Sequence, residues 1–180
     1  MHDQHWHMAT NSHEVALTEF EFSMLRIAES FSRWMDDCAA CCNNNKNVSG
    51  MDFAVLNIIR IHDRPKGITE ISRLMNRDDQ SNMQYCIRKL NKAGLIKKVS
   101  SSESKKGVTY TVTVEGVAMT EQYVFLRTKL LISLTKQISE SEAKLLQTSE
   151  VLNLMSGLYN QAACIAATHR LPQVETDSNT

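Results

Sequence analysis

From about Thr18 to Asp37 the residues Phe20, Met24, Ile27, Phe31, Trp34 and Cys38 recur every three or four positions, which puts a bulky apolar stripe along one face of a helix. The polar stretch Asn43 to Asn47 ends that helix, and Ser49 is placed to cap a second one carrying Val55, Leu56, Ile58, Ile59 and Ile61. Pro65 and Gly67 stop it. Ile68 to Arg77 predicts a short third helix, capped by Thr69, with Ile71, Leu74 and Met75 turned inward. After a tight polar turn, Asp78 or Asp79 caps a fourth helix reaching Lys92. On it Met83, Ile87 and Leu90 face the core, and Gly94 supplies the left-handed stop. The period then changes: Leu95 to Val99 reads as a strand and Ser100 to Gly107 as a polar loop. Val108, Tyr110, Val112 and Val114 alternate with Thr109, Thr111 and Thr113 to complete a β-hairpin. Two short helices joined by a tight turn and followed by a hairpin make a winged helix-turn-helix.

After Gly116 a long helix to about Gln137 carries Val117, Val124, Leu131 and Ile138 at seven-residue spacing, with Leu130 and Leu134 alongside. Ser139 and Glu142 fit a capping box. The last helix presents Leu145, Leu152, Tyr159 and Ala166 at the same spacing, with Met155 and Ala162 between them. These two helices and the first hold more apolar face than a small winged domain can cover, so a homodimer is the economical solution, with an intramolecular bundle as the alternative. The expected fold is mostly α (α+β), a winged helix-turn-helix with long N- and C-terminal dimerisation helices. The expected segments are a mobile arm over 1–14, a dimerisation helix and linker over 15–48, and the winged region over 49–114. The C-terminal dimerisation helices follow over 115–170, and a disordered tail over 171–180.

Composition supports one core: 180 residues, 42% hydrophobic and 22% charged, with two prolines and six glycines that leave long helices uninterrupted. No apolar run reaches the roughly 18 residues of a membrane helix, and the N-terminus lacks the apolar segment of a secretory signal, so no membrane partner and a cytoplasmic location are expected. A formal net charge of zero conceals a pattern. Arg64 to Lys106 holds eleven basic residues against four acidic ones, a net +7, and the remainder sums to −7. The basic segment coincides with the winged region, where it could face a polyanion.

If the fourth helix enters a major groove of double-stranded DNA, the face opposite Met83, Ile87 and Leu90 holds the readers, which selects Gln80, Ser81, Gln84, Tyr85 and Arg88. Glutamine pairs two-pronged with adenine and arginine with guanine, so Gln84 and Arg88 are the base-reading candidates, while Ser81 and Tyr85 suit phosphate. Lys89 joins this basic face. Arg64, Lys66, Arg73, Arg77, Lys97 and Lys98 flank the helix and would supply salt-dependent affinity through counterion release. A symmetric dimer would then read a pseudo-palindrome with half-sites about one turn apart. A winged helix that binds protein instead of DNA is the rival reading, and it would want an apolar recognition face.

Five cysteines, Cys38, Cys41, Cys42, Cys86 and Cys164, do not form a disulfide framework. Cys38, Cys41 and Cys42 are the candidate redox thiols, although Asp36 and Asp37 oppose a thiolate there; Cys86 and Cys164 read as small core residues. No metal site is expected, since a closed zinc site needs four ligands, and the N-terminal His2, His5 and His7 have no scaffold around them. No phosphate-binding or nucleophile-elbow motif is present, His62 beside Asp63 reads as a lone solvated pair at a helix end rather than a catalytic dyad, and neither enzyme activity nor a cofactor is expected.

The layout resembles the MarR family of bacterial transcription regulators over roughly Leu17 to Thr168. Ile68-Thr69-Glu70-Ile71-Ser72-Arg73-Leu74 is similar to the family's first helix-turn-helix segment. Met83 through Ile96, with Leu90-Asn91-Lys92-Ala93-Gly94-Leu95-Ile96, is similar to its recognition helix and lead-in to the wing, and Thr113-Val114-Glu115-Gly116 to the exit from the wing. The family's wing usually carries an Asp and one or two Arg. Here Ser102-Glu103-Ser104-Lys105-Lys106-Gly107 offers only lysines, so Lys105 and Lys106 are read as phosphate contacts. The resemblance implies a homodimer, repression by default, and a small-molecule effector bound between the dimer helices and the winged domain. It also leaves open a thiol-based redox switch, as some relatives use.

Overall fold

Asn11 starts the first helix. Its side-chain oxygen accepts the backbone N–H groups of His13 and Glu14, both at 3.0 Å, and Glu14 reaches back to the Thr10 N–H, so α1 runs Ser12–Cys42. The helix therefore begins inside the stretch expected as a mobile arm, and it extends past Asp37 to take in all three clustered cysteines. In this computed structural model the described residues are 7–42, 46–99 and 107–168, and the chain divides into two units, 1–128 and 129–180. His2, His5, Lys105, Lys106 and the tail over 171–180 lie outside the described residues.

The first unit continues with α2 (Gly50–Arg60), a 3-10 turn (Ile61–Asp63), β1 (Lys66–Gly67), α3 (Ile68–Leu74), α4 (Gln80–Lys92), β2 (Ile96–Val99), β3 (Thr109–Val112) and α5 (Val114–Leu126). Ser49 caps α2 in a capping box whose third residue is Asp52, and Asp79 caps α4 by accepting from the Asn82 N–H at 3.0 Å. Thr69 is not the cap of α3; Gly67 occupies that position. Gly67 is also not merely a stop, because Lys66 and Gly67 pair antiparallel with Tyr110 and Thr109, giving a three-stranded sheet in the order β1-β3-β2. A two-residue strand carries too little alternation to be read from sequence.

The core is built from Phe53, Val55, Leu56 and Ile59 of α2, Ile71 of α3, and Met83, Cys86, Ile87 and Leu90 of α4, all buried. Met35, Cys38, Ala39 and Cys42 of α1 pack on it, and Phe53 meets Tyr123 of α5 edge-on at 5.4 Å between ring centres. Leu74, expected inward, is exposed because α3 ends there and only Ile71 and Ser72 of that helix are buried. Lys66 is fully buried and cannot reach a phosphate. Its ammonium donates to the carbonyl oxygens of Ile59 (2.9 Å), Ile61 and Arg64 (3.3 Å), closing the end of α2, and burial pulls its pKa down.

The base of the wing, the end of α4 and the start of α5 meet in one junction. Gly94 takes φ +73°, and the Leu95 N–H bonds back to the Leu90 carbonyl at 3.0 Å. The Leu95 carbonyl then accepts the Thr113 N–H at 3.0 Å, while the Thr113 hydroxyl donates to the Gly94 carbonyl at 2.6 Å and accepts the Gly116 N–H at 3.1 Å. Thr113 thus caps α5, which starts at Val114 rather than after Gly116. A Cβ on Gly116 would run into the Leu95 carbonyl oxygen.

Beyond α5, residues Arg127–Ile132 form a π-helical turn, followed by the short α6 (Ser133–Thr135) and, in the second unit, α7 (Ser141–Thr168). The i→i+5 bonding breaks the seven-residue register expected through Leu131, and Ile138 lies past the helix end. Ser139 sits two positions before the first residue of α7, so it does not occupy the expected cap. None of the residues of α7 is buried, including Leu145, Leu152 and Cys164, which is exposed rather than a core residue.

Gly116→Ala is expected to lower stability by about 1–3 kcal/mol, because the added methyl must displace backbone rather than a flexible side chain. Urea unfolding of the variant against the parent measures it.

Candidate nucleic-acid interface

The face of α4 that does not pack is polar. Asp79 fixes where the helix starts, and the buried set Met83, Cys86, Ile87 and Leu90 fixes its rotation about its axis, so Gln80, Ser81, Gln84, Tyr85 and Arg88 all emerge exposed. Tyr85 keeps 58% of its surface in solvent, a large value for an aromatic ring on a helix that is otherwise well packed. Gln84 and Arg88 also line, with Ile68 of α3 and Val108 and Tyr110 of the wing, a cavity of about 340 Å³. The structure therefore brings the two base-reading candidates to the notch between helix and wing.

The flanking cations divide into exposed and engaged ones. Arg73 of α3 and Lys97 and Lys98 of β2 are exposed, and Arg77, in the turn before α4, is half-buried. Arg64 donates to Glu70, at 3.0 Å through Nη1 and through Nη2 as well, so part of its charge is already neutralised.

Lys89 is also engaged. Its ammonium sits 2.6 Å from the Asp52 carboxylate, which is only 2% exposed and also accepts the Ser49 N–H (3.0 Å) and hydroxyl (2.7 Å). Burial alone would push the Asp52 carboxyl up, but the Lys89 ammonium and the two Ser49 donors outweigh it and hold it below the usual range. The hydrogen bond to Asp52 in turn raises Lys89. Lys89 was expected on the DNA-facing surface, yet its charge is turned toward α2. It fastens α4 to the start of α2, and Asp52, unremarked in the sequence, is its partner. The signal was there in Ser49 and Asp52, the two ends of a capping box, but nothing local linked them to a lysine 37 residues on.

The thiols split. Cys38 and Cys42 are buried and Cys41 is exposed. Burial, reinforced by Cys42, Cys41 and Asp37, pushes the Cys38 thiol up to about 11, and burial raises Cys42 too, so neither is a thiolate at neutral pH. Among the described residues no group of three or more His, Cys, Asp or Glu side chains could hold a metal ion, and no helix is long and apolar enough to cross a membrane.

This geometry, a one-faced helix beside a three-stranded wing, is that of a winged helix-turn-helix protein. Residues 48–116 match the family model of the winged helix DNA-binding domain. No curated protein matches the sequence. Among solved structures, the chain is similar to MarR from Staphylococcus aureus in complex with salicylate and kanamycin, with 20% identity and a TM-score of 0.63 over 82% of this chain and 95% of that one. It is also similar to the transcriptional regulator BldR from Sulfolobus solfataricus, with 17% identity and a TM-score of 0.62 over 80% and 99% of the two chains. A third likeness is to S. aureus MepR in a complex with DNA, with 14% identity and a TM-score of 0.62 over 77% and 96%. Residues 48–116 are thus similar to a winged helix DNA-binding domain, and the chain has the fold seen in these solved structures.

Lys89→Met leaves Asp52 buried without its cation and is expected to cost roughly 1.5–3 kcal/mol at pH 7. Because the folded-state pKa of Asp52 is depressed, the pair's contribution is present above about pH 4 and fades as pH falls through the folded value. Urea melts between pH 7 and pH 2.5 should show the two proteins converging at the acid end.

Proposed function

We propose that the protein is a dimeric transcription regulator, a repressor, that reads a pseudo-palindromic operator with α4 in the major groove. The observation that carries this reading is the sidedness of α4: four apolar residues buried, eight polar or basic ones exposed. Gln84 and Arg88 read bases. Ser81, Tyr85, Gln80, Arg73, Arg77, Lys97 and Lys98 position the backbone, with Lys105 and Lys106 extending the wing's contacts to phosphate. Lys89 acts from behind, holding the helix. A protein-interaction module would present an apolar face here, and the exposed surface of α4 is not apolar.

Dimerisation draws support from apolar surface within each unit. Phe22, Leu25, Ile27 and Phe31 of α1 are 47–65% exposed, and Leu145, Leu146, Leu154 and Leu158 of α7 are 50–65% exposed. A helix as long as α7 with no buried residue needs a partner surface. A small-molecule effector would act by binding one spacing of the two α4 helices better than another, and a coupling of about 1–3 kcal/mol suffices. The S. aureus MarR structure holding salicylate and kanamycin supports a ligand-responsive fold of this kind.

Selection from genomic fragments is the test. The protein is expected to enrich palindromic fragments and to sediment at twice the chain mass. Gln84→Ala should relax discrimination at one base pair per half-site by roughly 1–3 kcal/mol, and Arg88→Glu should abolish specific binding with the dimer intact. A monomer, or fragments bound equally by Arg88→Glu, would contradict the reading.

A further inference from the structure

Beside α4, on the side where the linker enters α2, lies a half-open cavity of about 500 Å³ bordered by Lys46, Tyr85, Arg88, Lys89 and Lys92. Its wall has four cations and no acidic side chain. Asp52 answers one of them, Lys89. Lys46, Arg88 and Lys92 remain, from two separate parts of the chain; no ion pair among the described residues joins any of them to a carboxylate, although Lys46 also lies near enough to Glu115 of α5 to help lower that carboxyl's pKa. Three like charges converging on one concavity repel each other, and an anion seated among them relieves that repulsion. Tyr85, exposed and part of the lining, adds a hydroxyl donor.

We propose that this cavity is a phosphate-binding site, occupied by a backbone phosphate of the bound duplex and held by Lys46 and Lys92, with the base reader Arg88 on its border. It rests on the DNA-reading function proposed above and extends it. Lys46 in the linker before α2 and Lys92 at the end of α4 become contacts that neither the helix face nor the wing would supply. Lysine suits this role, being a compact point charge that binds an oxyanion without demanding a paired geometry. Such a contact carries no base information, so its loss weakens binding to every sequence alike. It ties the linker from α1 to the DNA-facing helix, so the position of α1 bears on affinity.

Equilibrium binding of the full chain to a selected duplex and to a random one, across a series of salt concentrations, tests the proposal. Inorganic phosphate alone serves as a second probe, followed by isothermal titration calorimetry. Lys46→Ala/Lys92→Ala is expected to weaken both duplexes by a similar factor, roughly tenfold at moderate salt, and to flatten the slope of log affinity against log salt by about 1. Unchanged affinity and slope, with the parent still binding DNA, overturn the site. Loss of inorganic phosphate binding with DNA affinity intact overturns the assignment to DNA and leaves a site for a free anion. A parent protein that binds no duplex refutes the functional reading itself, a result distinct from either.

Discussion

One buried carboxylate governs how the DNA-facing helix is presented. Asp52 accepts two hydrogen bonds from Ser49 and a third from Lys89, so the same oxygen atom that closes the start of α2 also holds α4. A carboxylate 2% exposed is tolerable only while these donors stay in place. The geometry of α2 against α4 is thereby tied to an electrostatic requirement as well as to packing. With α4 held in that orientation, Met83, Cys86, Ile87 and Leu90 fill the core, and the polar residues have nowhere to go but outward.

The wing depends on a second constraint of a different kind. Gly94, Leu95, Thr113 and Gly116 exchange hydrogen bonds within a few ångströms, so the end of α4, the base of the hairpin and the start of α5 share one junction. The two sequence motifs that flank the wing are its two halves. Gly94 is there for its positive φ, and Gly116 because the Leu95 carbonyl comes too close for any side chain. Between them, the Asp52 pair and this junction set the angle at which Gln84 and Arg88 meet the wing.

Much of this was legible in the sequence where the signal is local and periodic. The apolar spacing of α4, the Asp79 cap, the Gly94 stop and the presence of a hairpin emerge as read, but Val114, read as the last residue of its alternating strand, begins α5. What was not legible involves contacts between distant residues or very short elements. By sequence the Lys89 charge belongs with Arg88, and only the approach of α2 turns it inward. Lys66 counts as a surface cation until three carbonyl oxygens surround it. Leu74 satisfies an inward helical period, but it is the last residue of α3 and stays exposed. The π-helical turn at Arg127–Ile132 has no proline or glycine to announce it, so a seven-residue repeat runs across it unbroken on paper.

The most direct measurement of the central claim is the change in backbone and arginine side-chain NMR shifts when a selected duplex is added to labelled protein. The account predicts that the largest changes fall on Gln80–Lys92, Arg88 Nε and the strands of the wing, while the buried amides of α2 hold their positions. Saturable binding that leaves α4 unmoved and shifts another surface would contradict it.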